Sequence, residues 1–186
     1  MSYKRWIFVA IFLFVAGLAF GLIIASIAPA GVVNTPEDIP GLKELVDFLA
    51  SLPPALLAIF IFTKNASTLL LSFALSPILC LVPAITLFSN GSILGLISVM
   101  VSQEESVGFV LAGLLPHGVF ELPALIMGEA AALSFGAVVI LALFKKERRS
   151  LLLPSLKQNL KYLIIALALL LPAAIIETYV TPLLLT

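Results

Sequence analysis

Charge, cysteine and histidine are all scarce in this chain. Charged residues make up 11% of its 186 positions, and cysteine and histidine occur once each. So little charge excludes a soluble globule of this length. With 62% hydrophobic residues and a mean hydropathy of +1.23, there is too little polar surface to cover one, and the chain belongs in a bilayer. The single cysteine, Cys80, lies in the apolar run around Ile78 and Leu81. It excludes a disulfide framework or a cysteine metal cluster, and reads as a small lipid-facing or core residue. The single histidine, His117, excludes a His-Glu-x-x-His zinc helix, and there is no Gly-x-Ser-x-Gly elbow. Zinc proteases and serine hydrolases therefore lack parts here, and no enzymatic activity is expected.

What is present is a series of long apolar runs. The segment from Trp6 to Ala28 follows Lys4 and Arg5, exceeds a signal-peptide core in length and has no convincing Ala-x-Ala site, so it reads as a retained first crossing. Its Gly17 and Gly21, four apart, permit a close helix contact, including one between two copies. Asn34, Pro36, Glu37, Asp38, Pro40 and Gly41 predict a loop. Over residues 42–52, Leu42, Leu45, Val46, Phe48 and Leu49 share one helical face and Lys43, Glu44 and Asp47 the other, the pattern of a helix lying on the bilayer. Residues 55–62 are too short to cross and are expected to stay at that surface.

The second crossing is predicted over 67–88, with Ser89-Asn90-Gly91 as a tight turn. Residues 91–115 then form two short apolar arms around the polar Gln103-Glu104-Glu105-Ser106, the pattern of a broken or re-entrant segment. The fourth and fifth crossings are predicted over 118–144 and 162–180. On this reading Lys4, Arg5, Lys145, Lys146, Arg148, Arg149, Lys157 and Lys161 share one side, and the positive-inside rule makes the N-terminus cytoplasmic and the C-terminus extracytoplasmic. The cluster from Lys145 to Lys161 reads as a topology anchor, and no nucleic acid partner is expected.

The ionisable residues inside the apolar runs are the candidate site: His117, Glu121, Glu129 and Glu177. A charged side chain at a helix centre costs about 2.5–3.5 kcal/mol on insertion scales, so each of these needs neutrality, burial or a partner. His117 and Glu121 are four apart, about 40° around a helix from one another, close enough for an imidazole–carboxylate contact. Glu129 falls two turns further on, on a neighbouring strip, and Glu177 would approach the start of the fourth helix from the outer end of the fifth. Three readings compete: polar glue that holds helices together, a cation or proton site, and intramembrane hydrolysis, for which the parts are missing. A divalent cation is the cofactor such a set would admit, with His117 and Glu121 as candidate ligands.

Asn65 before an apolar run, Asn90-Gly-Ser-Ile-Leu-Gly95, and Leu115-Pro-His-Gly-Val-Phe-Glu-Leu-Pro-Ala124 together resemble the stage II sporulation protein M family of polytopic membrane proteins. The resemblance spans roughly Ala55 to the C-terminus and makes Asn90, Gly91, Gly95, His117, Gly118 and Glu121 the matching motif positions. That family is named for sporulating bacteria, in which the member takes part in engulfment beside a peptidoglycan-degrading partner, and it is widespread in bacteria and archaea that never sporulate. The resemblance implies a multi-helix membrane module. The expectation is therefore one all-α integral membrane domain of about five crossings, non-enzymatic, organising membrane partners or a second copy around a buried His/Glu centre. The alternative is transport of a proton, cation or small solute.

Overall fold

The computed structural model describes residues 3–27, 42–78 and 80–185. Among them there is no strand, and the helices run in the order α1 (Tyr3–Ile27), α2 (Leu42–Ser51), α3 (Pro54–Leu75), α4 (Leu81–Glu104), α5 (Val107–Phe144), α6 (Leu152–Tyr179) and α7 (Thr181–Leu184), with a 3₁₀ helix over Lys146–Leu151 before α6. α1, α3, α4, α5 and α6 are long and apolar enough to cross a membrane. Phe8 and Phe12 are 71% and 70% exposed, and many other large apolar side chains point outward with them. Such a surface is suited to lipid rather than water, and the chain is a multi-pass membrane protein. α2 forms where the amphipathic pattern places a helix, with Glu44 and Asp47 exposed. The loop expected around Asn34 to Gly41 lies outside the described residues.

The count of five survives, but two of the crossings sit elsewhere than the sequence suggests. Residues 55–62 are not a surface segment: Pro54 opens α3, where its missing N–H has no intrahelical role, and the helix runs on through Lys64 and Asn65 to Leu75. The break between crossings falls at Ser76–Cys80, not at Ser89-Asn90-Gly91. Pro77 has no N–H to offer the Phe73 carbonyl, so the chain tightens into bonds from Ser76 N–H to Phe73 and from Ile78 N–H to Leu75, and Cys80 adopts a left-handed φ of 56°. Pro83 then falls in the first turn of α4, which tolerates it. Asn90 and Gly91 lie in mid-helix, where Asn90 Nδ2 donates to the Thr86 carbonyl at 2.8 Å.

The broken segment expected over 91–115 is likewise absent. Glu105 and Ser106 carry the chain from α4 into α5, and the Ser106 hydroxyl caps α5 by accepting from the Phe109 N–H at 3.1 Å. α5 starts eleven residues before the predicted 118 and continues through Pro116 and Pro123 for 38 residues, roughly 57 Å at helical rise. Neither proline ends it, although the carbonyls of Ala112 and Val119 lose their usual donors, a defect that membrane helices accommodate. α6 also starts earlier than 162, because Lys157 and Lys161 extend the helix beyond its apolar portion. α5 is the central element. Residues 128–134 are buried without interruption, so the helix is enclosed on every side there.

Two pairs of glycines bring α1 and α4 into backbone contact. A Cβ at Gly17 or Gly21 would strike the carbonyl oxygen of Phe88 or Ser92, and a Cβ at Gly91 or Gly95 would strike that of Phe14 or Leu18. The residue numbers rise together, so the two helices run parallel. Each face is the small-x-x-x-small surface that lets helices approach when no hydrophobic force separates protein from lipid. The Gly17–Gly21 surface is therefore filled within the chain. At the other end of α1, Tyr3 stacks on Tyr162 of α6 with ring centroids 3.6 Å apart, and its hydroxyl donates to the Met127 carbonyl of α5 at 2.9 Å.

Two glycines of the same motif region should respond in opposite ways. Gly91→Leu places a side chain into the Phe14 backbone and should cost more than about 3 kcal/mol, as overpacking without room to relax does. Gly118 meets nothing within 4 Å of a Cβ, so Gly118→Ala should be neutral or stabilise by up to about 1 kcal/mol through helix propensity. Thermal unfolding in detergent reads both. Equal tolerance of the two substitutions would contradict the close α1–α4 contact.

Candidate functional site

α3 and α5 also run parallel, and this direction builds the site. Asn65 faces Glu121, Leu69 faces Gly128, Ser72 faces Glu129 and Ser76 faces Gly136, so successive turns of one helix meet successive turns of the other. Two of these rungs are polar. Asn65 Nδ2 donates to Glu121 Oε1 at 3.0 Å, and the Ser72 hydroxyl donates to Glu129 Oε2. In a bilayer interior such side-chain bonds replace the water that a polar group would otherwise find, each contributing about 0.6 kcal/mol on average.

Three of the four predicted site residues meet. His117 and Glu121 lie on the same face of α5 with Nε2 and Oε2 3.9 Å apart, and Glu177 comes from the last turn of α6. Each offers one ligand atom, and these atoms all lie within 4.8 Å of one another. The other imidazole nitrogen, Nδ1, lies 3.4 Å from the hydroxyl of Thr181, the first residue of α7. That hydroxyl in turn lies 3.3 Å from the Ile176 carbonyl, to which it donates. All three members of the cluster are partly buried.

Glu129 does not join them. It is fully buried, two turns further along α5, with one oxygen bonded to Ser72 and the other without a hydrogen-bond partner. It is a rung between α3 and α5, separate from the His117 cluster. The motif positions divide similarly. Asn90 faces the cavities beside the cluster, Gly91 and Gly95 serve the α1 contact and are not turns, and Gly118 leaves open space next to His117.

Three cavities converge on the cluster. One of about 270 Å³ lies among α4, α5 and the C-terminal end of the chain, and reaches His117, Glu177 and Thr181 past Ile97, Val101 and Phe109. A second, about 260 Å³, is bounded by Phe14, Asn90 and Leu94 and reaches both His117 and Glu121. The third, about 190 Å³, is the most polar in character, since Lys64, Asn65, Thr68 and Asn90 surround Glu121 there. An imidazole, two carboxylates and amide donors in such space can hold a cation, pass a proton or bind a small polar group.

Asn65, Thr181 and Lys64 belong to this site, and Ser72 to the separate Glu129 rung, without having been predicted as members. A signal for two of them is present in the sequence. Asn65 and Ser72 are seven apart on α3, and Glu121 and Glu129 are eight apart on α5, the spacing at which two parallel helices can pair polar residues on matching turns. Recognising it requires knowing that α3 includes Asn65, which the predicted start of the second crossing at 67 excluded.

The profile of a family described as Stage II sporulation protein M matches residues 10–182. An uncharacterized protein of Methanocaldococcus jannaschii is 29% identical over 180 residues, which cover 95% of this chain and 93% of that protein. No solved structure matches. The matched region takes in four of the five candidate membrane-spanning helices whole and the first from residue 10, together with His117, Glu121 and Glu177, and the chain belongs to the stage II sporulation protein M family.

Proposed function

We propose that this protein is a non-enzymatic membrane component that organises partner proteins within the bilayer, with the His117–Glu121–Glu177 centre as its structural and ion-binding core. The observation that carries the reading is the way one cluster joins separate helices: Glu121 is tied to α3 through Asn65, His117 to α7 through Thr181, and Glu177 brings in the end of α6. A centre of this kind fixes the mutual position of the helices and so the outward surface that a partner meets. The partner is another membrane protein. A second copy, if it is one, docks elsewhere than Gly17–Gly21, because α4 fills that surface.

The second reading, transport of a proton, cation or small solute, is favoured by the cavities that reach Glu121 from two directions. Purified protein in lipid vesicles separates the two. The organising role predicts proton and cation fluxes indistinguishable from those of empty vesicles, whereas a flux that disappears in Glu121→Gln would contradict it and establish transport.

The protein sits in the cell membrane with its N-terminus in the cytoplasm and its C-terminus outside. The positive-inside rule supports this reading: if each of the five candidate spans crosses, Lys4 and Arg5 share a side with the basic run from Lys145 to Lys161, opposite Glu104 and Glu105. On a Cys80→Ser background, an impermeant thiol reagent applied to whole cells should label Glu104→Cys and leave Lys146→Cys unmodified. The reverse pattern would invert the orientation.

A further inference from the structure

We infer that His117, Glu121 and Glu177 form a binding site for a divalent first-row transition cation of the zinc class, with Thr181 as the residue that aims the imidazole. The inference deepens the proposed function, since it rests on His117, Glu121 and Glu177 acting as one centre and specifies what that centre binds.

The contacts of Thr181 point to which imidazole nitrogen is available. Thr181 has a single hydroxyl proton, and it is donated to the Ile176 carbonyl. The hydroxyl then presents a lone pair to Nδ1 3.4 Å away, and on this geometry we assign the ring proton to Nδ1. A neutral imidazole in this tautomer presents the bare lone pair of Nε2 to Glu121 Oε2, which is also only an acceptor when ionised. At 3.9 Å the two atoms are too far apart for a hydrogen bond and have no proton between them. This is the arrangement of a metal-ligating histidine, whose second nitrogen donates to an outer partner that sets its tautomer and orientation.

The distances and the charge agree with that assignment. Ligands at about 2.0–2.2 Å from a tetrahedral zinc ion lie about 3.3–3.6 Å from one another. The three candidate atoms lie within 4.8 Å, so side-chain movements of about 1 Å or less would close the shell. Asn65 holds Glu121 by Oε1 and leaves Oε2 facing the imidazole. The three ligands themselves, two carboxylates and a neutral imidazole, carry −2, which matches a divalent ion, and Lys64 beside Glu121 brings one further positive charge to the surroundings. The imidazole favours zinc-class ions over magnesium or calcium, which prefer oxygen ligands. Three protein ligands leave a fourth position, and the cavity beside His117 and Glu177 has room for it.

The test uses the full-length protein in lipid nanodiscs, stripped with a chelator and titrated with zinc chloride against a chromogenic zinc competitor. Wild type should bind about one zinc ion per chain at micromolar or tighter affinity, and cobalt should give the visible absorption of a tetrahedral N/O site. Glu177→Gln, close in shape to the original, should weaken binding at least tenfold. Thr181→Val, which touches no ligand atom of the metal, should weaken it about 10- to 100-fold and shift the cobalt spectrum, as loss of an outer-shell partner does. Glu129→Gln should bind like wild type. Monodisperse wild type that binds zinc no more tightly than His117→Ala would overturn the proposal, as would a preference for magnesium or calcium. Vesicle flux and the stability of the helix contacts are read without added metal, so failure here is distinguishable from failure of the organising role.

Discussion

The structure depends on the parallel contact between α3 and α5, in which polar side chains on successive turns have to find each other because lipid offers them nothing. Asn65 meets Glu121 and Ser72 meets Glu129, with Leu69 packed on Gly128 between them and Gly136 against the Ser76 backbone beyond. A slip of one helical turn along this seam would leave two acids without partners in the interior. The energetic penalty of an unpaired buried acid exceeds what either hydrogen bond contributes alone, so the seam acts mainly by excluding other registers. The candidate site inherits its geometry from that register. Glu121 is oriented by α3 before His117 or Glu177 is considered.

A second contact supplies the opposite wall. Two helices that run parallel in sequence order need a third to return between them, and α4 does so. It is held against α1 by glycines on both faces, which let backbone meet backbone at four positions, with the Phe20 and Phe88 rings in contact beside them. This close approach is compatible with Asn90 of α4 bordering the same cavities as Glu121, while Phe14 of α1 bounds one of them. The glycine motif and the histidine motif, far apart in sequence, thus act on one place. The first sets how near α4 and α1 stand, and the second provides the chemistry.

Much of this was legible in the sequence, and its failures have physical causes. Composition gives a membrane protein, the long apolar runs give its helices, and the i, i+4 spacing puts His117 Nε2 and Glu121 Oε2 3.9 Å apart on one helical face. The count of five crossings is right although two of them were misplaced, because extending α3 back to Pro54 and merging the supposed broken segment into α4 and α5 leave the total unchanged. The misplacement comes from Asn90-Gly91. As a dipeptide it favours a turn, and the same glycine favours a close helix contact. Which role applies depends on the Phe14 backbone, which lies far away in sequence. Pro77 and Pro83 carried the better signal, one stopping a helix and the other tolerated in the first turn of the next. Pro116 misled in the other direction, since the predicted arm stopped at 115 whereas α5 continues through it.

The central claim is that Glu121 is positioned across the α3–α5 seam and that the His117 centre is built on that bond. A double-mutant cycle on thermal or denaturant unfolding of the reconstituted protein tests it most directly, with Asn65→Ala, Glu121→Ala and the pair. A coupling of about 0.5–1.7 kcal/mol between the two positions is predicted, the range that interhelical hydrogen bonds in membrane proteins reach. Strict additivity of the two substitutions would show that the residues do not support each other, and would contradict the account.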